Sequence, residues 1–167
     1  PYILNVFDLA PVSIDFGFGF NWFSLNVLAD SMNVNSLLNG QGSLNENFAN
    51  ITYIKHQTGY TNYLSDYSMW YPDLELLTGK LYMAQASEGG TFSYEGTQVD
   101  VLTPIQLTAS NNWIGYYPTV PLPVDFALSY LGDNPQYIKS QTDVAQYYPD
   151  YGWWPVIDLY PNEGYIL

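Results

Sequence analysis

Catalytic chemistry would need titratable side chains in a suitable pattern, and the sequence has a single histidine, His56. It ends a stretch, Ile51 to His56, whose residues predict a strand. The corresponding position later in the chain is Ser140. A serine-based triad needs a histidine beside its nucleophile, and no segment around His56 suggests such a group. We therefore interpret His56 as an ordinary strand residue.

Pairs of carboxylates are the remaining route to catalysis, because two acids can cleave a glycosidic bond. Asp73 with Glu75, and Asp158 with Glu163, are candidates by proximity in sequence alone. Exposed acids are expected in a chain that has 16 Asp and Glu residues. We therefore predict that the protein is not an enzyme.

Metal binding is restricted by the composition. The chain has no cysteine, which removes disulfides, thiol catalysis and Cys-based zinc sites. Oxygen ligands around Asp133-Asn134 and Asp150 could bind calcium. However, the sequence has no EF-hand loop and no Gly/Asp nonapeptide repeat. We expect no cofactor and no metal site, with calcium in these loops as the alternative.

Aromatic side chains form the best candidate binding surface, because flat rings can stack on sugar faces without any charge. The candidates cluster near the end of the sequence: Tyr147, Tyr148, Tyr151, Trp153 and Trp154. Core packing competes for the same residue types, and we assign Trp22, Trp113 and Trp154 to the core. Since neighbouring residues on a strand face opposite ways, Trp153 is then expected to be exposed.

Two lysines, Lys55 and Lys139, are two of only three cations in the chain and are each followed two residues later by a glutamine, Gln57 or Gln141. One interpretation is structural: the lysine stem covers apolar surface, and the ammonium and the glutamine bond groups within their own unit. The alternative is a polar binding pocket made of lysine, glutamine and the nearby tyrosines.

An internal repeat explains this coincidence. The segment Tyr53-Ile54-Lys55-His56-Gln57-Thr58 returns 84 residues later as Tyr137-Ile138-Lys139-Ser140-Gln141-Thr142, with five of six residues identical. At the same spacing, Tyr67 corresponds to Tyr151 and Trp70 to Trp154. Upstream, Asn21-Trp22 returns 91 residues later as Asn112-Trp113. The difference in spacing falls in one loop, Gly40 to Ala49 in the first copy and Gly132 to Pro135 in the second.

The residue patterns predict an α+β fold in which each of two tandem β-rich units is a mostly antiparallel sheet with one short helix. The first helix begins near Asp30-Ser31, and the second begins near Pro123. Between the units, Thr91 to Tyr94 and Gln98 to Val101 are predicted to form a hairpin around a Glu95-Gly96 turn.

These elements divide the chain into four segments. Residues 1–20 are expected to hold the closing strand of a preceding unit, Tyr2-Ile3-Leu4, and a lead-in segment. Residues 21–85 form the first unit, 86–111 the linking hairpin and 112–167 the second unit. This arrangement is typical of a piece of a longer array.

The charge balance limits the possible partners. Lys and Arg total 3 against 16 Asp and Glu, which gives a net charge of −13. Phosphate backbones and anionic lipids would be repelled, and no apolar run approaches the roughly 18 residues of a membrane span. We therefore expect neither nucleic-acid binding nor membrane insertion. A surface that is acidic and poor in lysine favours an extracellular location.

The motifs Asn112-Trp113, Ile138-Lys139-x-Gln141-Thr142, Gly152-Trp153 and Gly164-Tyr165 resemble those of a tandem Trp/Tyr-rich module. That module occurs in large secreted or cell-surface proteins of bacteria, with algal and viral relatives. The resemblance implies a structural or adhesive part of a surface protein or filament, whose partners are neighbouring repeats or copies of itself. Two alternatives stay open: a carbohydrate-binding module that uses Trp153 with Tyr151, and a virion or tail-fibre component.

Overall fold

The computed structural model describes residues 9–39, 51–132 and 134–167. Over these residues the chain is β-rich, as predicted, and its sheets are antiparallel. The only α-helices there are two short ones, α1 (Val34–Asn39) and α2 (Val124–Ala127), and neither is long enough to cross a membrane. The predicted strand Tyr2-Ile3-Leu4, the loop Gly40 to Ala49 and Asp133 lie outside the described residues.

Fifteen strands form in the described ranges. In chain order they are β1 (Ala10–Phe16), β2 (Gly19–Phe23), β3 (Val27–Leu28), β4 (Ile51–His56), β5 (Gly59–Leu64), β6 (Met69–Tyr71), β7 (Tyr82–Ala86), β8 (Gly90–Gln98), β9 (Trp113–Gly115), β10 (Leu122–Pro123), β11 (Tyr137–Lys139), β12 (Val144–Tyr148), β13 (Gly152–Trp154), β14 (Asp158–Leu159) and β15 (Gly164–Ile166). Short 3-10 turns cover Ser65–Tyr67 and Ser129–Leu131.

Two five-stranded sheets contain most of these strands. The first sheet has the spatial order β2-β7-β4-β5-β6, and the second has the order β9-β15-β11-β12-β13. In both sheets the last strand in sequence lies between the first and the second. The strand orders of the two sheets are therefore the same, and β6 and β13 form matching outer edges.

The helices connect to the sheets in matching ways. Val34 begins α1, and its N–H donates to the Leu74 carbonyl oxygen at 2.8 Å. Val124 begins α2, and its N–H likewise donates to the Ile157 carbonyl oxygen at 2.9 Å. Both valines are fully buried. Each helix is thus anchored by its first residue to the segment that follows the outer strand of its sheet.

A third, three-stranded sheet with the order β1-β8-β3 covers the first core. Val12, Ile14 and Phe16 from β1 and Phe92 from β8 are buried there, and the ring of Phe16 meets that of Phe23 edge-on at 5.3 Å. Because apolar side chains alternate along β1, one face of the strand packs on the first sheet.

The hairpin predicted for residues 91–101 is wrong, because β8 is one continuous nine-residue strand. Seven of its residues pair with β1, from Ala10↔Gly96 to Phe16↔Gly90. A Cβ at Gly96 would collide with the Leu28 carbonyl oxygen. Gly96 is therefore required where two strands approach closely, and it does not form a turn.

Candidate functional site

The glutamine that follows β4 joins the first sheet to the second. Gln57 donates from Nε2 to the Asn111 carbonyl oxygen at 2.7 Å, and its Oε1 accepts the N–H of Trp113 at 3.1 Å. One side-chain amide thereby satisfies an acceptor and a donor of the backbone at the start of β9. These groups lie at and just before β9, the last strand in the order of the second sheet, whose free side is otherwise met by residues 80 and 81 through a bridge between Lys80 and Ile114.

The equivalent glutamine of the second sheet makes the same pair of bonds to the first sheet. Gln141 donates to the Phe20 carbonyl oxygen at 2.8 Å and accepts the N–H of Trp22 at 2.7 Å. The backbone bonded is that of β2, the edge strand of the first sheet. The contacts between the two sheets are therefore reciprocal.

The two lysines strengthen this junction. Lys55 Nζ lies 5.6 Å from the ring centroid of Trp113 and 5.9 Å from that of Phe20, and Lys139 Nζ lies 5.7 Å from that of Trp22. An ammonium above an aromatic face is attracted by the ring electrons. The expectation that lysine and glutamine bond within their own unit is therefore corrected, because both reach the other sheet.

The assignment of Trp22 and Trp113 to the core also needs correction. Both side chains are half-buried, and neither belongs to one of the two core clusters. Each lies in a cross-strand row with the lysine of its own sheet, while the lysine of the other sheet covers its ring. These tryptophans therefore belong to the junction.

The backbones of the two sheets also approach each other closely. The buried Ser24 hydroxyl donates to the Glu163 carbonyl oxygen at 2.6 Å and accepts the N–H of Tyr116 at 3.2 Å. A Cβ at Gly115 would lie 2.9 Å from the Ser24 Cβ and 2.9 Å from the Gly79 carbonyl carbon. The junction thus requires a residue without a side chain at position 115.

The tryptophans of the outer strands take the opposite positions to those expected. Trp153 is 5% exposed, whereas Trp154 is 70% exposed. Tyr147 pairs with Trp153 as Tyr63 pairs with Trp70, with ring centroids 5.5 and 5.6 Å apart. Trp70 therefore corresponds to Trp153. Trp154 corresponds to Tyr71, and both of these side chains are exposed.

A difference in turn length explains this correction. The turn that joins β5 to β6 closes at the pair Leu64↔Met69, and the turn that joins β12 to β13 closes one residue earlier, at Tyr148↔Gly152. Because side chains alternate along a strand, a shift of one residue exchanges the two faces. The spacing of 84 residues found at Lys139 becomes 83 in the outer strand.

The outward faces of both sheets carry the same row of three side chains, one from each of three neighbouring strands. Each row consists of an aromatic ring, an amide and a second aromatic ring: Tyr53, Asn62 and Tyr71 in the first sheet, and Tyr137, Gln146 and Trp154 in the second. Neighbouring strands lie about 4.8 Å apart, so the two rings of a row flank the amide at a separation of roughly 10 Å.

Of the six side chains in these rows, only Trp154 is among the aromatic candidates that the sequence offers. The other candidates lie outside the rows. Tyr148 and Tyr151 are exposed as a binding surface requires, while Tyr147 packs against the buried Trp153. Tyr67, in the turn before β6, is exposed like Tyr151. The proline that follows both Tyr71 and Trp154, at a spacing of 83 residues, is the signal in the sequence that could have shown that these two residues correspond.

None of the titratable side chains that are candidates for catalysis is a member of these rows. Partial burial, with Lys80 nearby, lowers the pKa of His56, whose Nδ1 lies 3.4 Å from the Thr58 hydroxyl. The Glu163 carboxylate accepts the Tyr165 hydroxyl at 2.9 Å. Within residues 9–39, 51–132 and 134–167, no three His, Asp or Glu side chains are placed to hold a metal ion together.

Comparisons with known proteins add no assignment. No protein-family model, curated protein or solved structure matches the chain. The reciprocal junction and the two outward rows are therefore the features from which a function can be inferred.

Proposed function

We propose that the chain is a non-catalytic structural module of an extracellular surface protein or filament, built from two tandem copies of one unit. The observation that carries this proposal is the reciprocal junction made by Gln57 and Gln141. The lysine and the glutamine that recur in both copies hold the two copies together. A block of this kind suits a protein that must keep its shape outside the cell.

The same strand order in the two sheets and the matching anchors of Val34 and Val124 support the two-copy organisation. The acidic composition supports the extracellular location, since a surface with net charge −13 stays soluble and does not adhere to anionic lipids. The resemblance to secreted and cell-surface modules agrees with both points.

A single-molecule stretching experiment tests the structural role. When the chain is pulled from its two ends, the two copies should unfold in one event, because each is bonded to the edge strand of the other. The double variant Gln57→Ala with Gln141→Ala should unfold in two events, whereas the control Gln106→Ala should behave like the unchanged protein. Two separate events in the unchanged protein would contradict a single block.

The location is tested with antibodies raised against the folded chain. Intact cells that produce the protein should be labelled, and external protease should remove the label. Labelling that requires permeabilised cells would overturn the extracellular assignment.

Carbohydrate binding is a second candidate, and the outward rows favour it. Two rings that flank an amide offer stacking faces for sugar rings and a hydrogen-bonding group between them. Tyr71 is 64% exposed, and the equivalent Trp154 is 70% exposed. Because both sheets carry such a row, the chain would have two sugar-binding sites.

A glycan array tests this candidate. Binding by the unchanged chain should weaken with Trp154→Ala, weaken further with Trp154→Ala and Tyr71→Ala together, and persist in the control Tyr130→Ala, which removes another exposed ring. Absence of any bound glycan, or binding that survives the double substitution, would exclude the rows as a sugar site.

A further inference from the structure

The two cores differ in what covers them. Above the first core, β1 pairs with β8 along its whole length, and Phe92 of β8 is almost completely buried. Next to Phe92, the ring of Tyr94 stacks at 5.2 Å and its hydroxyl donates to the Val27 carbonyl oxygen at 2.8 Å. The strand β8 is thus an integral part of the first core.

A turn that occurs in both halves identifies the counterpart of β1 in the second half. The Asn21 side chain accepts the N–H of Gly17 at 2.8 Å and donates to its carbonyl oxygen at 2.8 Å. Asn112 makes the same two bonds with Thr108, at 2.7 and 3.1 Å. The residues before the turns correspond in the same way, so Leu107 takes the place of Phe16.

The segment 103–107 therefore occupies the position of β1, but in the described residues it pairs with no strand. Ile105 packs partly against the second core, at the place that Ile14 fills in the first. Leu107 is 39% exposed, whereas Phe16 is buried. The backbone and the apolar side chains of this segment are thus left uncovered, whereas the equivalent groups of β1 are covered by β8.

An apolar groove of about 520 Å³ lies beside this segment. Its lining includes Leu107, Leu122, Phe126, Leu128 and Tyr130, and apart from Thr103 it consists of apolar and tyrosine side chains together with glycine and proline. Leu122 and Leu128 are partly exposed, while their counterparts Met32 and Leu38 in the first core are buried.

We propose that this groove binds an extended strand donated by another polypeptide, which pairs with residues 103–107 as β8 pairs with β1. In the first half β8 covers the equivalent position by pairing with β1. Within residues 9–39, 51–132 and 134–167 no strand pairs with residues 103–107, and strand addition is a general way of covering such an edge.

The structure of β8 defines the chemistry of the donated strand. Two aromatic residues at alternate positions, Phe92 and Tyr94, face the core, and Gly96 follows at the point where the backbones approach closely. The pattern aromatic-x-aromatic-x-Gly is therefore expected in the partner. The proposal does not depend on the function proposed above, because strand binding in the groove does not require Gln57 or Gln141, and neither glutamine lines the groove.

A fluorescent peptide with the sequence of residues 89–99 tests the proposal. It should bind the full chain saturably, and a peptide with Phe92→Ser and Tyr94→Ser should bind at least about tenfold more weakly. Phe126→Asp with Tyr130→Asp in the protein should weaken binding to a similar extent. Phe18→Asp, which changes an exposed ring outside the groove, should leave binding unchanged.

Amide hydrogen exchange locates the bound peptide. Protection should increase at residues 105–107, whose amides can join a ladder with the peptide, and should stay constant at residues 10–16. Protection at 10–16 instead would mean that the peptide exchanges with β8, and it would overturn the proposal. Equal binding of the two peptides, no saturable binding, or a groove filled by self-association of the chain would overturn it as well.

Discussion

Gln57 and Gln141 make the same two main-chain hydrogen bonds, each to the edge strand of the other's sheet. Neither glutamine bonds the tryptophan of its own sheet. Since each amide satisfies one donor and one acceptor, its loss leaves two backbone groups at the junction to be solvated by water. The stability of one sheet therefore depends on a side chain from the other.

Replacing these glutamines tests that dependence. Gln57→Ala and Gln141→Ala should each lower the free energy of unfolding by about 1–3 kcal/mol, because each removes two hydrogen bonds. Urea denaturation followed by tryptophan fluorescence measures the change. The control Gln106→Ala should stay within about 0.5 kcal/mol. A double variant no less stable than the unchanged protein would show that the glutamines do not hold the junction.

The lysines should contribute less. Lys55→Met and Lys139→Met keep most of the apolar stem and remove the charge above the tryptophan ring. We expect each to cost about 0.5–1 kcal/mol, as for other partly solvated cation–π contacts. Lys80→Met is the matched control, since it removes the third cation of the chain without such a contact. Equal costs for all three lysines would indicate an effect of net charge alone.

The neighbours Trp153 and Trp154 should respond very differently to substitution. Trp153→Ala opens a cavity in the second core and should cost about 3–5 kcal/mol. Trp154→Ala removes an exposed ring and should change the free energy of unfolding by about 0.5 kcal/mol or less. If Trp153→Ala does not fold, Trp153→Phe provides the measurable comparison. A larger loss for Trp154 would contradict the assigned faces of β13.

A side chain at Gly115 should separate the two sheets. Gly115→Ala places a methyl group against Ser24 and the backbone of Gly79, and overpacking of this kind costs about 1–3 kcal/mol. Gly17→Ala is the control, because its Cβ would meet nothing closer than 3.8 Å. Thermal unfolding of the two variants gives the comparison. Equal melting temperatures would show that the junction can widen without cost.

The buried tyrosines should make the protein sensitive to alkali. Burial, with Asp158 nearby, raises the pKa of Tyr116 to about 12, and burial also raises the pKa values of Tyr82 and Tyr165. In the unfolded chain these phenols lose their protons near pH 10. The unfolded state then binds fewer protons than the folded state, so stability falls as the pH rises from about 10 through 12.

Urea unfolding at pH 8, 10 and 11, with phenolate absorbance recorded in parallel, measures this effect. The midpoint should be constant up to about pH 9 and should decrease above pH 10. A midpoint that is the same at pH 8 and pH 11 would contradict the assigned burial of these phenols.

Local patterns predicted the elements of this fold well. The six-residue repeat at Tyr53 and Tyr137 marked two equivalent strands, and the start of α1 near Asp30-Ser31 came within a few residues of Val34. Strand alternation and helix signals act over a few residues, so the sequence displays them directly. The β-rich character followed from the same patterns.

Relationships that depend on one residue of register or on distant contacts were predicted poorly. A turn shorter by one residue exchanged Trp153 and Trp154 between the two faces of β13. The Glu95-Gly96 pair has the composition of a turn, but its glycine is required by the nearby Leu28 carbonyl. The reach of Lys139 and Gln141 to Trp22 depends on how the sheets pack, which residue spacing does not describe.

The reciprocal contacts of Gln57 and Gln141 have the form of an isologous interface, in which each partner uses the same surface. Such an interface closes on itself and cannot be extended head to tail. A longer protein assembled from the proposed unit would therefore grow by pairs of units, with a different kind of contact between successive pairs. A single unit produced alone would expose a self-complementary surface and should form a symmetric homodimer.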